Sequence, residues 1–185
     1  MVLARHLNDP ETFVVEELGL RHGVARIDIA VINGAIHGFE LKSDCDTLKR
    51  LPDQMAVFNS VLDRMTIVVG SRHLDQTMHV VPRWWGVKTA IVGPRGGIRF
   101  SDVRRPANNP SPDAVAIAKL LWRQEALDLV NELGAATGIR SKPRRVIYNR
   151  LAEVMDLEAL RARVRQQLRS RTGWRSAEQP ASCDG

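Results

Sequence analysis

Apolar positions recur at a period of two in the first part of this chain and near four in the second. Residues 12–20, TFVVEELGL, begin as a β-rich run. Residues 25–32, ARIDIAVI, alternate strictly and place Ile27, Ile29 and Val31 on one face. Asn33-Gly34 is a hairpin signal, and residues 35–42, AIHGFELK, supply the partner strand. Over 46–63 the period becomes helical, with a stripe of Leu48, Leu51, Met55, Phe58 and Leu62. Pro52 suits a first helical turn, so the regular helix should begin near it. Residues 65–70, MTIVVG, are the uninterrupted run of a strand covered on both faces. A short helix over 74–80 follows, then strands over 86–93 and 97–103 joined by a hairpin turn at Pro94–Gly97.

Residues 104–113, RRPANNPSPD, have the composition of a linker. Everything beyond reads as helix. One helix runs from a Ser111 cap with Pro112 at its first position to Gly134 past its end. A second covers 141–155, opened by Ser141 and Pro143, and a third covers 156–171. The predicted class is α/β: a mixed central sheet flanked by helices, with a small all-helical C-terminal domain. The predicted divisions are a core over 1–105, a linker over 106–112, a helical domain over 113–173 and a disordered tail over 174–185.

The hairpin register decides what its polar residues can do. A strict two-residue turn pairs Ile32 with Ala35 and sets Ile27 against Glu40, apolar against charged along the ladder. A three-residue loop pairs Ile32 with Ile36 and sets Asp28 across from Glu40 and Arg26 across from Lys42. Hydrophobic pattern favours the second register. Two carboxylates directly opposed, roughly 5 Å apart at Cβ, repel unless a cation or proton lies between them. A hard divalent ion such as Mg²⁺ suits oxygen ligands, and Lys42 could serve a water or a phosphate. The bland alternative is a surface ladder of ion pairs, Arg26 with Glu40 and Asp28 with Lys42. Against it, the hairpin is flanked by buried-type strands and a helix, and Gln54 stands beside that helix's apolar stripe.

Asp28, then Glu40-Leu41-Lys42 after an eleven-residue gap, resembles the bipartite motif of the PD-(D/E)XK nuclease superfamily, the restriction-endonuclease-like proteins. The order strand, Asp strand, E-x-K strand, helix, buried strand fits as well. Gln54 followed by Phe58 resembles the Gln-x-x-x-Tyr feature of RecB-like nucleases. The longer wording from VVEELGL to LKRLPDQ is similar to a group of uncharacterised bacterial proteins placed in that superfamily. The resemblance implies a metal-dependent nuclease acting on DNA. Asp28, Glu40 and the Leu41 carbonyl would hold Mg²⁺ or Mn²⁺, Glu16 or Glu17 would add a carboxylate, Lys42 would serve the attacking water, and Gln54 would contact the site. Ile27 departs from the nominal proline, and Met1–Asn8 is short for the glutamate-bearing helix with which many members begin.

Composition adds a partner and a compartment. The formal net charge is +6. Residues 139–175 hold eleven basic and three acidic residues, a local +8, so the rest of the chain carries −2. Arginine binds phosphate bidentately, which points to a polyanion. Arg140, Lys142, Arg144, Arg145 and Arg163 are the expected nucleic-acid contacts, with a solvated helical face as the competing explanation. The expected partner is DNA, with no membrane and no small-molecule cofactor, and a homodimer left open. No apolar run approaches ~20 residues, the N-terminus has no signal-peptide pattern, and two distant cysteines form no disulfide framework, which together suggest a bacterial cytoplasm. The remaining conspicuous residues carry structural expectations. Trp84-Trp85, Trp122 and Tyr148 should be core. Asp44, Asp46 and Asp63 should be capping or solvated. Cys45 has no histidine placed to activate it.

Two further classes stay in view. One is a DNA-binding protein that keeps the nuclease scaffold without turnover. The other is a protein-interaction module whose arginines meet an acidic partner.

Overall fold

The structure, a computed structural model, describes residues 12–171. The Met1–Asn8 segment, short for the helix with which many members begin, and the tail after Trp174 lie outside the described residues. The strands are β1 (Phe13–Leu20), β2 (Ala25–Ile32), β3 (Ile36–Lys42), β4 (Arg64–Gly70), β5 (Gly86–Val92) and β6 (Ile98–Arg104). They form one sheet in sequential order. Pairing is antiparallel for β1–β2, β2–β3 and β5–β6, and parallel for β3–β4 and β4–β5. Helix α1 (Leu51–Val61) carries the crossover from β3 to β4, and α2 (Leu74–Val80) the crossover from β4 to β5. The fold is mixed α/β, as expected.

Local chemistry explains most boundaries. Pro52 lies in the first turn of α1, where its missing N–H costs nothing. Leu48, Leu51, Phe58 and Leu62 are buried along the predicted stripe, and Met55 packs against them half-buried. Met65–Gly70 of β4 is buried throughout, as a strand covered on both faces must be. The hairpin loop holds Asn33, Gly34 and Ala35, with Gly34 at φ 78°. Ile32 therefore pairs with Ile36 and Ile29 with Phe39, the register in which Asp28 faces Glu40.

One expectation about that hairpin fails. Ile29 and Val31 join Val14 and Phe39 in a small cluster on one face, but Ile27 belongs to the main core. The alternation breaks beside it. Glu17 lies across from Asp28 at a left-handed φ of 52°, and the β1–β2 pairing skips both residues between Glu16–Ile29 and Leu18–Ile27. A kink of this kind re-aims side chains next to a strand's rim.

Ile27 thereby reaches Gly38. A Cβ added at Gly38 would stand 2.6 Å from Leu62 Cδ1 and 3.1 Å from both Ile27 Cγ1 and Met65 Sδ. Gly38→Ala is expected to overpack this layer and lower stability by about 1–3 kcal/mol, read as a shifted urea midpoint. An unchanged midpoint would mean that Leu62 yields without cost.

Among the described residues the C-terminal part holds four helices rather than three: α3 (Ala114–Ala118), α4 (Arg123–Glu132), α5 (Arg144–Val154) and α6 (Leu157–Ser170). The predicted helix from Ser111 divides at residues 119–122, and its cap is Asp113, whose carboxylate accepts from Ala116 N at 2.5 Å. Tertiary partners take the carbonyls that would have continued it. Arg171 donates to Leu120 O at 2.8 Å, and the Tyr148 hydroxyl donates to Leu121 O at 3.0 Å. Trp122 then turns extended, its N–H on Glu125 Oε2, and opens α4. Contrary to expectation Trp122 is 56% exposed, because it caps a helix instead of lying inside one. Trp85 and Tyr148 are buried as expected, Trp85 beside Phe58 with its Nε1 on Asn59 Oδ1.

Residues 106–112 lack regular structure, yet the segment is tied down. Ala107 N donates to Trp84 O, Asn109 N to Asp63 O, and Asn109 Nδ2 to both Asn59 O and Leu62 O. One hydrophobic cluster contains side chains of the sheet, α1 and all four C-terminal helices. Asp63 binds the two parts by charge as well. Buried, it accepts from Ile36 N and Arg161 Nε, both at 2.6 Å, with Arg165 Nη1 at 3.6 Å. It is neither a cap nor a solvated residue. The strand-end N–H and the α6 arginines converge on it only in three dimensions.

Candidate functional site

Glu40 and Lys42 stand two residues apart on β3, so both side chains leave the same face. They meet at 2.6 Å, Lys42 Nζ donating to Glu40 Oε1. From above, Gln54 Nε2 on α1 donates to the same oxygen at 2.8 Å. Asp28 stands beside them on β2. Its Oδ2 accepts from Leu41 N at 2.7 Å, a side chain taking a main-chain donor where the β2–β3 ladder ends. These residues line one cleft of about 520 Å³.

Burial sets the electrostatics. Glu40 is 1% exposed. Loss of solvent pushes its carboxyl above the ordinary glutamate range, and the Asp28 charge pushes the same way. The hydrogen bonds and charge supplied by Lys42 and Gln54 oppose this. Two oxygens in this cluster, Glu40 Oε2 and Gln54 Oε1, are buried with no hydrogen-bond partner among the described residues. Orphaned acceptors are costly, and a cation or its waters would satisfy them. Asp28 and Glu40 with a main-chain carbonyl and water form a donor set suited to Mg²⁺, which takes few protein ligands and retains water. Among the described residues no group of three or more His, Cys, Asp or Glu side chains is placed to hold a metal by itself. Such a site therefore rests on two carboxylates, not on a protein cage.

The other predicted residues divide. Glu17 lines the cleft, whereas Glu16 does not, since Glu16 pairs opposite Ile29 beyond the kink. Arg26 is on the cleft wall, but its partner is Glu17 Oε2 at 2.7 Å. The surface ladder of Arg26 with Glu40 and Asp28 with Lys42 is not what forms. Leu41 turns its side chain outward, 40% exposed. Arg50 and Asp53 also line the cleft and were missed. Their signal was legible: Arg50, Asp53, Gln54 and Val57 share one helical face. Asp44 and Asp46 serve the turn after β3, Asp44 accepting from Arg72 N and Asp46 from Ser43 N. Cys45 is exposed and free.

The arginine-rich helices are less uniformly available than composition suggests. Arg163 is paired with Glu132, Arg161 with Asp63 and Glu158, and Arg171 with Glu125. Arg140, Lys142, Arg144 and Arg145 are exposed. No helix among the described residues is long and apolar enough to cross a membrane.

The family model described as Bacteriophage P4 protein cII matches residues 1–179. The chain belongs to that family. It is similar to protein cII of Enterobacteria phage P4, 27% identical over 121 residues, which are 65% of this chain and 46% of that protein. The chain thus spans about half the length of the curated relative it matches. Among solved structures it is similar to a protein of unknown function from Silicibacter pomeroyi, 21% identical, over 76% of this chain and 92% of that one, with a TM-score of 0.42.

Proposed function

We propose that this chain is a metal-dependent nuclease that hydrolyses phosphodiester bonds in DNA, with a restriction-endonuclease-like core of the PD-(D/E)XK type. One observation carries the reading. A buried glutamate, Glu40, is held by Lys42 and Gln54 on one oxygen, beside Asp28, while its other oxygen is buried and unpartnered. A surface ion-pair ladder has no use for that arrangement, because burying a carboxylate beside a second one costs stability.

Asp28, Glu40 and the Leu41 carbonyl would hold Mg²⁺ or Mn²⁺, with Glu17 at the cleft wall as a further carboxylate. When bound, the ion would polarise the scissile phosphate and lower the pKa of a bound water. The chain's own residues do the rest. Gln54 and Lys42 fix the Glu40 rotamer through Oε1. The Lys42 ammonium offsets charge gathering on the phosphate and can orient the attacking water by hydrogen bonding. The Leu41 N–H fixes Asp28 through Oδ2 and leaves Oδ1 for a ligand. Helix α1 supplies Asp53, Gln54 and Val57 to the wall of the cleft.

Purified protein incubated with circular and linear DNA, with Mg²⁺ or Mn²⁺ and with chelator, tests this. Asp28→Asn and Lys42→Ala are each expected to lower cleavage by roughly 10²-fold or more, the scale of a lost electrostatic stabiliser. Cleavage that survives both variants would locate the activity elsewhere. Salt-sensitive DNA binding with no cleavage would support a binding protein without turnover. That reading has its own observation, since among the described residues no three His, Cys, Asp or Glu side chains are grouped closely enough to hold a metal.

A further inference from the structure

A second cleft, of about 320 Å³, lies where the sheet's first edge meets the C-terminal helices. Its wall carries Lys119, Arg123 and Arg144, with no carboxylate among its lining residues. Among the described residues, neither Lys119 nor Arg144 has a carboxylate within ion-pair reach. Arg123 spends its guanidinium on main-chain carbonyls, Arg140 O at 2.7 Å and Lys142 O at 3.4 Å. Arg161, Arg163 and Arg171 of the nearby helices are paired with acids, whereas Lys119 and Arg144 face the cleft without one among the described residues.

The aromatic inventory is equally specific. The exposed Trp122 indole borders the cleft, with the Arg171 guanidinium 4.4 Å from its ring centroid. Arg171 is in turn held by Glu125, so the indole is braced from behind. A rigid exposed indole beside unpaired cations suits a nucleobase stacked next to its phosphates.

The turn between β1 and β2 joins this cleft to the Glu40 site. Arg21, His22 and Gly23 all have positive φ, 48°, 58° and 89°. A left-handed conformation costs roughly 1–2 kcal/mol for each non-glycine residue, so the turn is held by its surroundings. Gly23 lines both clefts. His22 points its ring toward Tyr148, with centroids 5.6 Å apart. Burial, then the Arg144 and Lys119 charges, hold the His22 imidazole below its ordinary pKa.

We infer that this second cleft is a binding groove for single-stranded nucleic acid, Lys119 and Arg144 contacting phosphates and Trp122 stacking a base, on a strand that passes over Gly23 to Glu40. The last clause rests on the nuclease reading; the groove itself does not.

The test is binding of a fluorescein-labelled oligothymidylate to the full chain in chelator, where no cleavage can occur, across a salt series. K119Q/R144Q is expected to weaken binding about tenfold or more and to lower the log–log salt slope by about 1.4, two single-strand phosphate contacts at ~0.7 each. Trp122→Ala is expected to weaken binding roughly tenfold with the slope unchanged, and to remove tryptophan quenching by the oligonucleotide. R95Q/R99Q, on the far β5–β6 hairpin, removes equal charge and should change affinity less than twofold. Equal losses in both double variants would show bulk charge at work and overturn the groove, as would unchanged binding in K119Q/R144Q. Cleavage by a protein whose binding ignores K119Q/R144Q would sink the groove and leave the nuclease standing. Groove-dependent binding by a protein that never cleaves would do the reverse.

Discussion

Under the nuclease proposal, Glu40→Gln is expected to lower metal-dependent cleavage by roughly 10³-fold and, in metal-free buffer, to raise the melting temperature. The two effects share one cause. Glu40 is buried, its carboxyl held above the ordinary range first by desolvation and then by Asp28, so its charged form is disfavoured in the folded chain. For a carboxyl whose folded pKa is raised, the folded state is relatively favoured while the group is protonated. That advantage fades as pH rises through the folded pKa. Near neutrality Glu40 is therefore a net burden on folding. Glutamine removes the charge, yet its carbonyl can still accept from Lys42 and Gln54. A carboxylate that ligates a catalytic cation is worth several kcal/mol in the transition state, so the loss of rate should be roughly 10³-fold. The same titration fixes the pH profile: cleavage should fall off on the acid side at a pH above that expected of an exposed glutamate. Thermal melts with and without Mg²⁺ check the stability half. Wild type should gain stability from added Mg²⁺ through ligand linkage, and Glu40→Gln should not. A variant that melts lower in chelator, or that still responds to Mg²⁺, would remove Glu40 from the site.

Asp63→Ala is expected to be the most destabilising single change, costing about 3–5 kcal/mol, the scale of breaking a buried ion pair from one side. Asp63 is 5% exposed, and Arg161 loses its deepest partner when the carboxylate goes. The Ile36 N–H at the start of β3 is left unsatisfied at the same time. At 2–4 °C per kcal/mol for a chain of this size, the melting temperature should drop by roughly 6–20 °C. Arg161→Met in the Asp63→Ala background should recover part of the loss, because it removes the stranded charge. A drop below about 1 kcal/mol would mean that α6 does not depend on this pair. Asp63 lies far from Glu40 in function but not in consequence. It anchors the first residue of the strand that ends in Glu40 and Lys42.

The alternation of residues 25–42 and the Asn33-Gly34 signal were sufficient to set the hairpin register, because only one register keeps apolar residues opposed. That register brought Asp28 to Glu40, and the helical stripe through Leu51 and Phe58 placed Gln54 above them. Local pattern also marked the buried strand β4 and the turn of β5 and β6, since burial on both faces and turn chemistry are written in consecutive residues. Other features depended on partners distant in the chain. The split between α3 and α4 follows from Tyr148 and Arg171 capturing carbonyls 27 and 51 residues away. Trp122 became an exposed ring, and Ile27 changed face across the Glu17 kink, for the same kind of reason. Charge was the least legible of all. Composition counts an arginine equally whether it neutralises Asp63 or faces an open cleft, and only the tertiary arrangement separates Arg161 from Arg144. Periodicity reports which side of an element is dry. Which side chains from distant segments meet there is decided by packing.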